Sequence, residues 1–441
     1  MIRSWKSIVS RIPHRLSDRE TRKILLQTML SLLLKVFAGV SGFVLNLVVS
    51  RSLGASDAGT FFLGLTISNV VGICIQFGCD QAVLRRVGVA KSAGDFSSAR
   101  QARRASFQIL AIGAGISILV GLPLGLSALK SHNLTEVLPL AVMWLGAIPF
   151  AISWLLAHCF LGWGLIAKFQ AYQNLVSAAL FSLLFLAWQF FTGRHEVLDA
   201  SILYLLSLSV VAVAGEFSWR RLIGVGLAEA ASVRKLAHEA APLFGIAALG
   251  LLMTWGAQVV LAMFAPASDV AVFTVALRTA TLVSVVLTAG NNILLPRFAS
   301  LYAKGEIVAL RKLCTLSTRV MLVLCAPALV LMFVFPREVM SLFGGDFSHG
   351  GAVLSILALG QLVNVATGAV GGLLNMTGNA SLALKANVIA AAFTICAIFL
   401  LVPAYGLVGA AVAQALGLAL QMILLSVWAK IKLGFMPASL R

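Results

Sequence analysis

Two cations stand where charge is expensive. Lys35 and Arg278 each lie inside a stretch of about 20 mostly apolar residues, the length at which a helix crosses the hydrocarbon core of a bilayer. A cation facing lipid at that depth costs roughly 2.5–3.5 kcal/mol or more, so the expected surroundings are a hydrated cavity. No acidic residue shares the middle of those stretches. A cavity with fixed positive charge favours an anion, such as a phosphate or pyrophosphate. The chemistry expected is capture of an anionic group.

Polar stripes accompany the two cations. At 100° per residue, Thr274, Arg278, Thr281, Thr288 and Asn292 fall within an arc of about 80°, and Gln27, Ser31, Lys35, Gly39, Gly42 and Asn46 within about 120°. Asn69, Gln76 and Asp80 share a narrow face, as do Gln361, Asn364, Gly368, Gly371 and Asn375, and Gln258 adds an amide on another stretch. Such stripes either line a hydrated central cavity or hold helices together, and for Ser, Thr and Gly the second reading is at least as strong. The candidate binding set is Lys35, Arg278, Arg51, Asn46, Asn69, Gln76, Gln258, Thr274, Thr281, Gln361, Asn364 and Asn375. Arg51 is the weakest, because at an external mouth it could simply anchor a helix end.

Other titratable groups are given plainer roles. Asp80 and Glu216 lie near span ends, where each either binds a coupling cation or pairs with a loop arginine; the ion pair is the expectation. His158 falls inside a span near its basic end, and a packed histidine is expected there rather than a proton relay. The six cysteines form no C-x-x-C pair, so buried thiols are expected, with neither a metal site nor a disulfide framework. No phosphate-binding G-x-x-x-x-G-K-S/T run occurs, and Gly113-x-Gly115 lies within a span. The longest predicted external loop covers only about residues 337–349, too little to house an active site. Neither a cofactor nor enzymatic activity is expected.

The elements that must carry these residues follow from composition. Apolar residues make up 60% of the 441 and charged residues 11%, with a mean hydropathy of +1.00, against roughly 25% charged in soluble domains. The chain is therefore read as an all-α, polytopic membrane protein. Apolar runs predict twelve spans, near 25–50, 59–80, 105–127, 136–159, 170–191, 198–219, 241–264, 270–295, 315–336, 350–374, 383–402 and 406–429.

The net charge of +18 is asymmetric: of 33 Lys and Arg, 27 fall on the side of the N-terminus and four (Arg51, Lys130, Arg194, Arg337) on the other. The positive-inside rule puts both termini in the cytoplasm and removes nucleic acid as the reason for the charge. The N-terminal segment reads as a solvated basic tail; no apolar core with a cleavage site marks it as a signal peptide.

The chain also repeats itself. Ala55-Ser56-Asp57-Ala58-Gly59-Thr60-Phe61 returns as Ala267-Ser268-Asp269-Val270-Ala271-Val272-Phe273, an offset of 212 residues, and Gly78, Asp80 and Arg85 return as Gly290, Asn292 and Arg297. Six spans per copy predict two bundles related by a pseudo-twofold axis along the membrane normal. The expected division is a basic cytoplasmic segment 1–24, a six-helix bundle 25–222, a linker 223–240, a second bundle 241–430 and a tail 431–441. At that offset Arg278 falls opposite Thr66 and Lys35 opposite Ala247, so the scaffold is duplicated and the cations are not.

Several short runs carry a family likeness. They are Ser50-Arg51-Ser52-Leu53-Gly54 followed by Gly59-x-Phe61, then Pro242-Leu243, Asp269 with Phe273 and Arg278, and Pro296-Arg297 with Leu301-Tyr302. In that order, over roughly residues 25–430, they resemble the polysaccharide-exporting branch of the multidrug/oligosaccharidyl-lipid/polysaccharide (MOP) exporter superfamily, the O-antigen-type (Wzx-like) flippases. The resemblance implies a MATE-like pair of six-helix bundles forming a V that opens alternately to either side. It implies a lipid-linked oligosaccharide on undecaprenyl pyrophosphate, moved across a bacterial inner membrane for lipopolysaccharide or exopolysaccharide synthesis. It also implies partners among membrane lipids and, further on, a polysaccharide polymerase and chain-length machinery. Lys35, Arg278 and Arg51 are the positions that fit its cationic pyrophosphate site. Lipid II flippases are similar but typically have fourteen spans. A multidrug or other small-molecule exporter and a membrane-embedded glycan polymerase or ligase are the alternatives; drug-exporting relatives use acidic residues within their bundles, and this chain lacks them.

Overall fold

In hydrocarbon a backbone finds no water to bond, so each segment satisfies its N–H and C=O groups internally as helix. The computed structural model of the chain describes residues 18–131, 133–224 and 233–435, and among these every regular element is helical. Residues 1–17, part of the linker (225–232) and the last six residues of the tail lie outside the described residues.

The helices are α1 (Asp18–Gln76), α2 (Cys79–Ser92), α3 (Phe96–Ser131), α4 (Leu134–Gly162), α5 (Ile166–Gln170), α6 (Val176–Thr192) and α7 (Val197–Ile223). There follow α8 (Val233–Phe264), α9 (Ala267–Thr281), α10 (Val283–Ala303), α11 (Ile307–Val334), α12 (Pro336–Ser341), α13 (Gly351–Thr367), α14 (Val370–Met376) and α15 (Ala380–Leu433).

Nine helical stretches, or ten with the bent α5–α6 pair, are long and apolar enough to cross a membrane among the described residues, where twelve spans are predicted. The difference has a physical cause: two of them are hairpins whose helix runs on through a single glycine. In α15, Gly406 takes φ 52°, ψ −127°. Gln421 Nε2 then reaches Asn387 Oδ1 at 2.9 Å, Gly417 abuts Thr394 and Gly409 abuts Leu401, an antiparallel register. In α1, Gly54 takes φ 74°, ψ 177°. Its first arm meets Val285 at Gly39 and Leu342 at Arg51, and its second runs from Ala267 at Gly59 back to Gln76, beside the contact of Gly78 with Ala240. Only glycine enters such conformations without a Cβ clash. Splitting both hairpins recovers the spans.

The repeated motif packs on its own copy. Gly59 lies against the backbone of Ala267, with no room between them for a methyl group, and Phe61, Phe62, Val270 and Phe273 enter one buried cluster. This joins the two halves on the side away from most of the charge. On the basic side, Phe77 stacks on Phe244 at 5.0 Å, and Arg86 makes two bonds to the Glu239 carboxylate, at 3.0 and 3.1 Å.

Two expectations follow. Gly59→Val forces the halves apart; overpacking of this kind costs about 1–3 kcal/mol, read as a lowered unfolding temperature of the detergent-solubilised protein. The Arg86 bond holds the Glu239 carboxyl below the usual carboxylate range, so its stabilisation is complete above the unfolded value of about 4.3 and is lost as pH falls through the folded value. Glu239→Gln should therefore lower stability at pH 7 by at most about 1 kcal/mol, because the pair is solvated. Thermal melts should show that difference vanishing in acid.

Candidate functional site

Polar side chains without backbone partners mark where a membrane protein keeps water. In the N-terminal half most are satisfied locally. Asn46 Nδ2 donates to Gly42 O at 2.8 Å, Asn69 Nδ2 to Leu65 O at 2.6 Å, and Thr66 Oγ1 to Phe62 O at 2.9 Å. Aromatic rings fill the space around them, with Phe61 on Phe181 at 5.3 Å and Phe181 on Phe185 at 5.5 Å. A cavity of about 630 Å³ opens inside the C-terminal half, lined by α8, α9, α10, α13 and both arms of α15.

Among the described residues Arg278 is the only charged one on its wall. It sits in the last turn of α9, just before the chain breaks at Leu282, where Leu282 N bonds Thr279 O at 3.2 Å and Val285 N bonds Leu282 O at 3.1 Å. A helix C-terminus favours a cation. The guanidinium lies 5.7 Å from the centre of the Trp255 ring. Among the described residues no carboxylate pairs with it.

Amides surround it. Gln361 Oε1 accepts from Ser284 Oγ at 2.8 Å and Asn364 Nδ2 at 3.3 Å, which leaves the Gln361 Nε2 donors for a ligand. Gln258 Nε2 donates to Phe62 O of the other half at 3.3 Å. Thr274, Thr281, Gln258, Gln361 and Asn364 therefore join Arg278 at one site. Such a wall, one cation among neutral hydrogen-bonding groups, can hold a phosphate and sugar hydroxyls.

The remaining candidates lie elsewhere. Lys35 is partly buried, one turn of α1 from Gly39, which packs beside the Val285 side chain. It is off the cavity wall. Arg51 Nε donates to Leu342 O at 2.7 Å across the side opposite the basic one. Gln76 is buried with its Nε2 unpartnered, and Asn375 is exposed; neither lines the cavity. Glu216 lies between Arg103 and Arg220, at 2.5 and 2.6 Å, and Asp80 stands 3.8 Å from His158. No cluster of three metal-ligating residues occurs among the described residues, and all six cysteines are free.

Sequence reasoning missed Asn387, Gln414 and Gln421, which line the far wall from α15. The seven-residue spacing of Gln414 and Gln421, one helix face inside an apolar run, is a signal that could have found them.

This architecture defines a multi-pass membrane transporter of the MOP type. Residues 7–302 match the polysaccharide biosynthesis protein family, and residues 242–400 match the MatE family. The chain belongs to the polysaccharide biosynthesis protein family. It is 24% identical over 391 residues to the probable low-salt glycan biosynthesis flippase Agl15 of Haloferax volcanii, covering 88% of this chain and 78% of that one. Its fold is similar to an inward-facing multidrug resistance MATE family transporter of the MOP superfamily, with a TM-score of 0.70, 16% identity, and 92% and 98% of the two chains covered. It is also similar to a Pyrococcus furiosus MOP transporter described by the reverse polarity of its binding pocket, with a TM-score of 0.62, 15% identity, and 92% and 95% covered.

Cysteine accessibility checks the cavity. In a cysteine-free background, Thr254→Cys and Gln421→Cys should react with a charged, membrane-impermeant thiol reagent, while Val323→Cys, exposed on an apolar face of α11, should not.

Proposed function

We propose that the chain flips an oligosaccharide carried on undecaprenyl pyrophosphate from the cytoplasmic to the periplasmic leaflet of a bacterial inner membrane. The observation that carries this reading is Arg278, which among the described residues has no carboxylate partner and is the only charge on the cavity wall. A pyrophosphate oxygen about 4 Å away gains roughly 4 kcal/mol of attraction at the effective permittivity of such sites. Gln361, Asn364, Asn387 and Gln421 would meet glycan hydroxyls, and the lipid tail would stay in the bilayer. Lys35, on the face of α1 turned towards α10, would meet the headgroup on its way to Arg278. Alternating separation of the halves would carry the glycan across, ahead of a polymerase and its chain-length machinery. Two relationships support the reading: the family match over residues 7–302, and the likeness to a protein named as a glycan flippase.

A second reading, export of a multidrug type, draws on the MatE match to the half that holds the cavity. A cationic drug would meet Arg278 unscreened by any wall carboxylate, which disfavours it.

Arg278→Gln should abolish export of lipid-linked glycan at normal protein levels. It should also weaken binding of a polyprenyl pyrophosphate analogue by about 10–100-fold, the loss of one charge-assisted bond worth about 1.5–3 kcal/mol. Arg278→Lys should restore part of both. Unchanged surface polysaccharide in the Gln variant would sink the assignment.

A further inference from the structure

The N-terminal half holds a second polar site that the anion cavity does not use. Between α1 and α2 the chain breaks at Phe77 and Gly78, with φ 48° and 74°. Phe77 is the only non-glycine residue with positive φ among the described residues, a conformation held against strain by its surroundings. That break is where the halves meet on the basic side: the Phe77 ring stacks on Phe244, and Gly78 lies against Ala240 and Phe244. Two residues on, in the first turn of α2, stands Asp80.

Its partner is His158 of α4, buried between the rings of Trp154 at 5.6 Å and Phe169 at 5.4 Å. His158 Nδ1 lies 2.9 Å from Trp154 O. A carbonyl only accepts, so Nδ1 carries the hydrogen and Nε2 is left pointing at Asp80 Oδ2, 3.8 Å away. With His158 neutral and Asp80 ionised, a lone pair faces a carboxylate. One added proton turns that contact into an attraction.

Of the charges nearby, Arg85 of α2 is exposed to solvent and four others are engaged. Arg86 of α2 is held by Glu239 of α8, Arg103 of α3 by Glu216 of α7, Lys168 of α5 by Ser218, and Arg100 by Ile223 O. Gln81 donates to the Asp80 carboxylate at 3.2 Å, Gln76 of α1 contributes only an amide, and the Cys79 and Cys159 thiols are buried. His238, on α8 beside Glu239, is the other histidine of this contact.

We propose that His158 and Asp80 form the proton-binding site that sets the contact between the halves. A solvent hydronium gives its proton to the pair and leaves as water, and the proton returns to a water molecule when the pair separates. Histidine is the side chain whose ordinary titration crosses physiological pH. Uptake shortens the pair from 3.8 Å to the roughly 2.7–2.9 Å of a charge-assisted bond. That draws the first turn of α2 towards α4 and loosens Phe77 and Gly78 from α8. The proposal rests on the transporter reading but not on which substrate is carried.

The test needs no substrate. Spin labels at Val89→Cys on α2 and Val308→Cys on α11, both exposed on the basic side, report the separation of the halves in purified protein with its native cysteines replaced. Between about pH 5.5 and 8, where the depressed Glu239 stays ionised, the distance distribution should change with pH. His158→Gln and Asp80→Asn should each abolish the change, and His238→Gln should leave it. A pH-independent distance in the otherwise native chain overturns the proposal. So does a response that survives in either dyad variant, or one that disappears only with His238→Gln. Should one dyad variant fail to fold, the other decides. Because no lipid-linked glycan is present, failure of the flippase reading would leave this result standing.

Discussion

The interior of a bilayer supplies no hydrogen bonds, and nearly every feature of this chain is a response to that constraint. It makes the backbone helical, and it requires each change of direction within α1 and α15 to be compressed into a single glycine, at Gly54 and Gly406. It also divides the polar side chains into two populations. Those of the N-terminal half mostly turn back onto their own helix, as Asn46, Asn69 and Thr66 do. In the C-terminal half Thr274, Thr281 and Thr394 also bond their own helix, while Ser284, Gln361 and Asn364 bond one another on the cavity wall, where Arg278 has neutral neighbours and an aromatic face.

The membrane class, the spans and the placement of Arg278 within one of them were legible in the sequence because each depends on composition along a line. The repeat was legible as well, and Gly59 beside Ala267 shows its two copies pressed together. Which stripe faces water was not legible. A helical wheel gives Asn69 and Asn364 the same standing, yet Asn69 bonds back to Leu65 on its own helix while Asn364 lines the cavity. That difference is a matter of arrangement in three dimensions. Span counting met the same limit: periodicity does not distinguish a hairpin folded at one glycine from two helices joined by a loop.

A duplicated scaffold whose C-terminal copy alone carries Arg278 leaves the two halves free for different tasks. The C-terminal half offers the cavity; the N-terminal half offers a rigid aromatic body, a strained break at Phe77 and a carboxylate–imidazole pair behind it. The halves meet at both ends of the membrane, through Gly59 on Ala267 on one side and Phe77 on Phe244 on the other. A rearrangement that exposes the site to one side must therefore release one of these contacts while the other serves as pivot.

The late position of α15 bears on how the protein is made. Asn387, Thr394, Gln414 and Gln421 all come from this hairpin, so the far wall of the cavity is synthesised after every other element that lines it. Until that hairpin docks, the pocket around Arg278 lacks its far wall. The cavity is therefore complete only once the last hairpin of the described residues has been made.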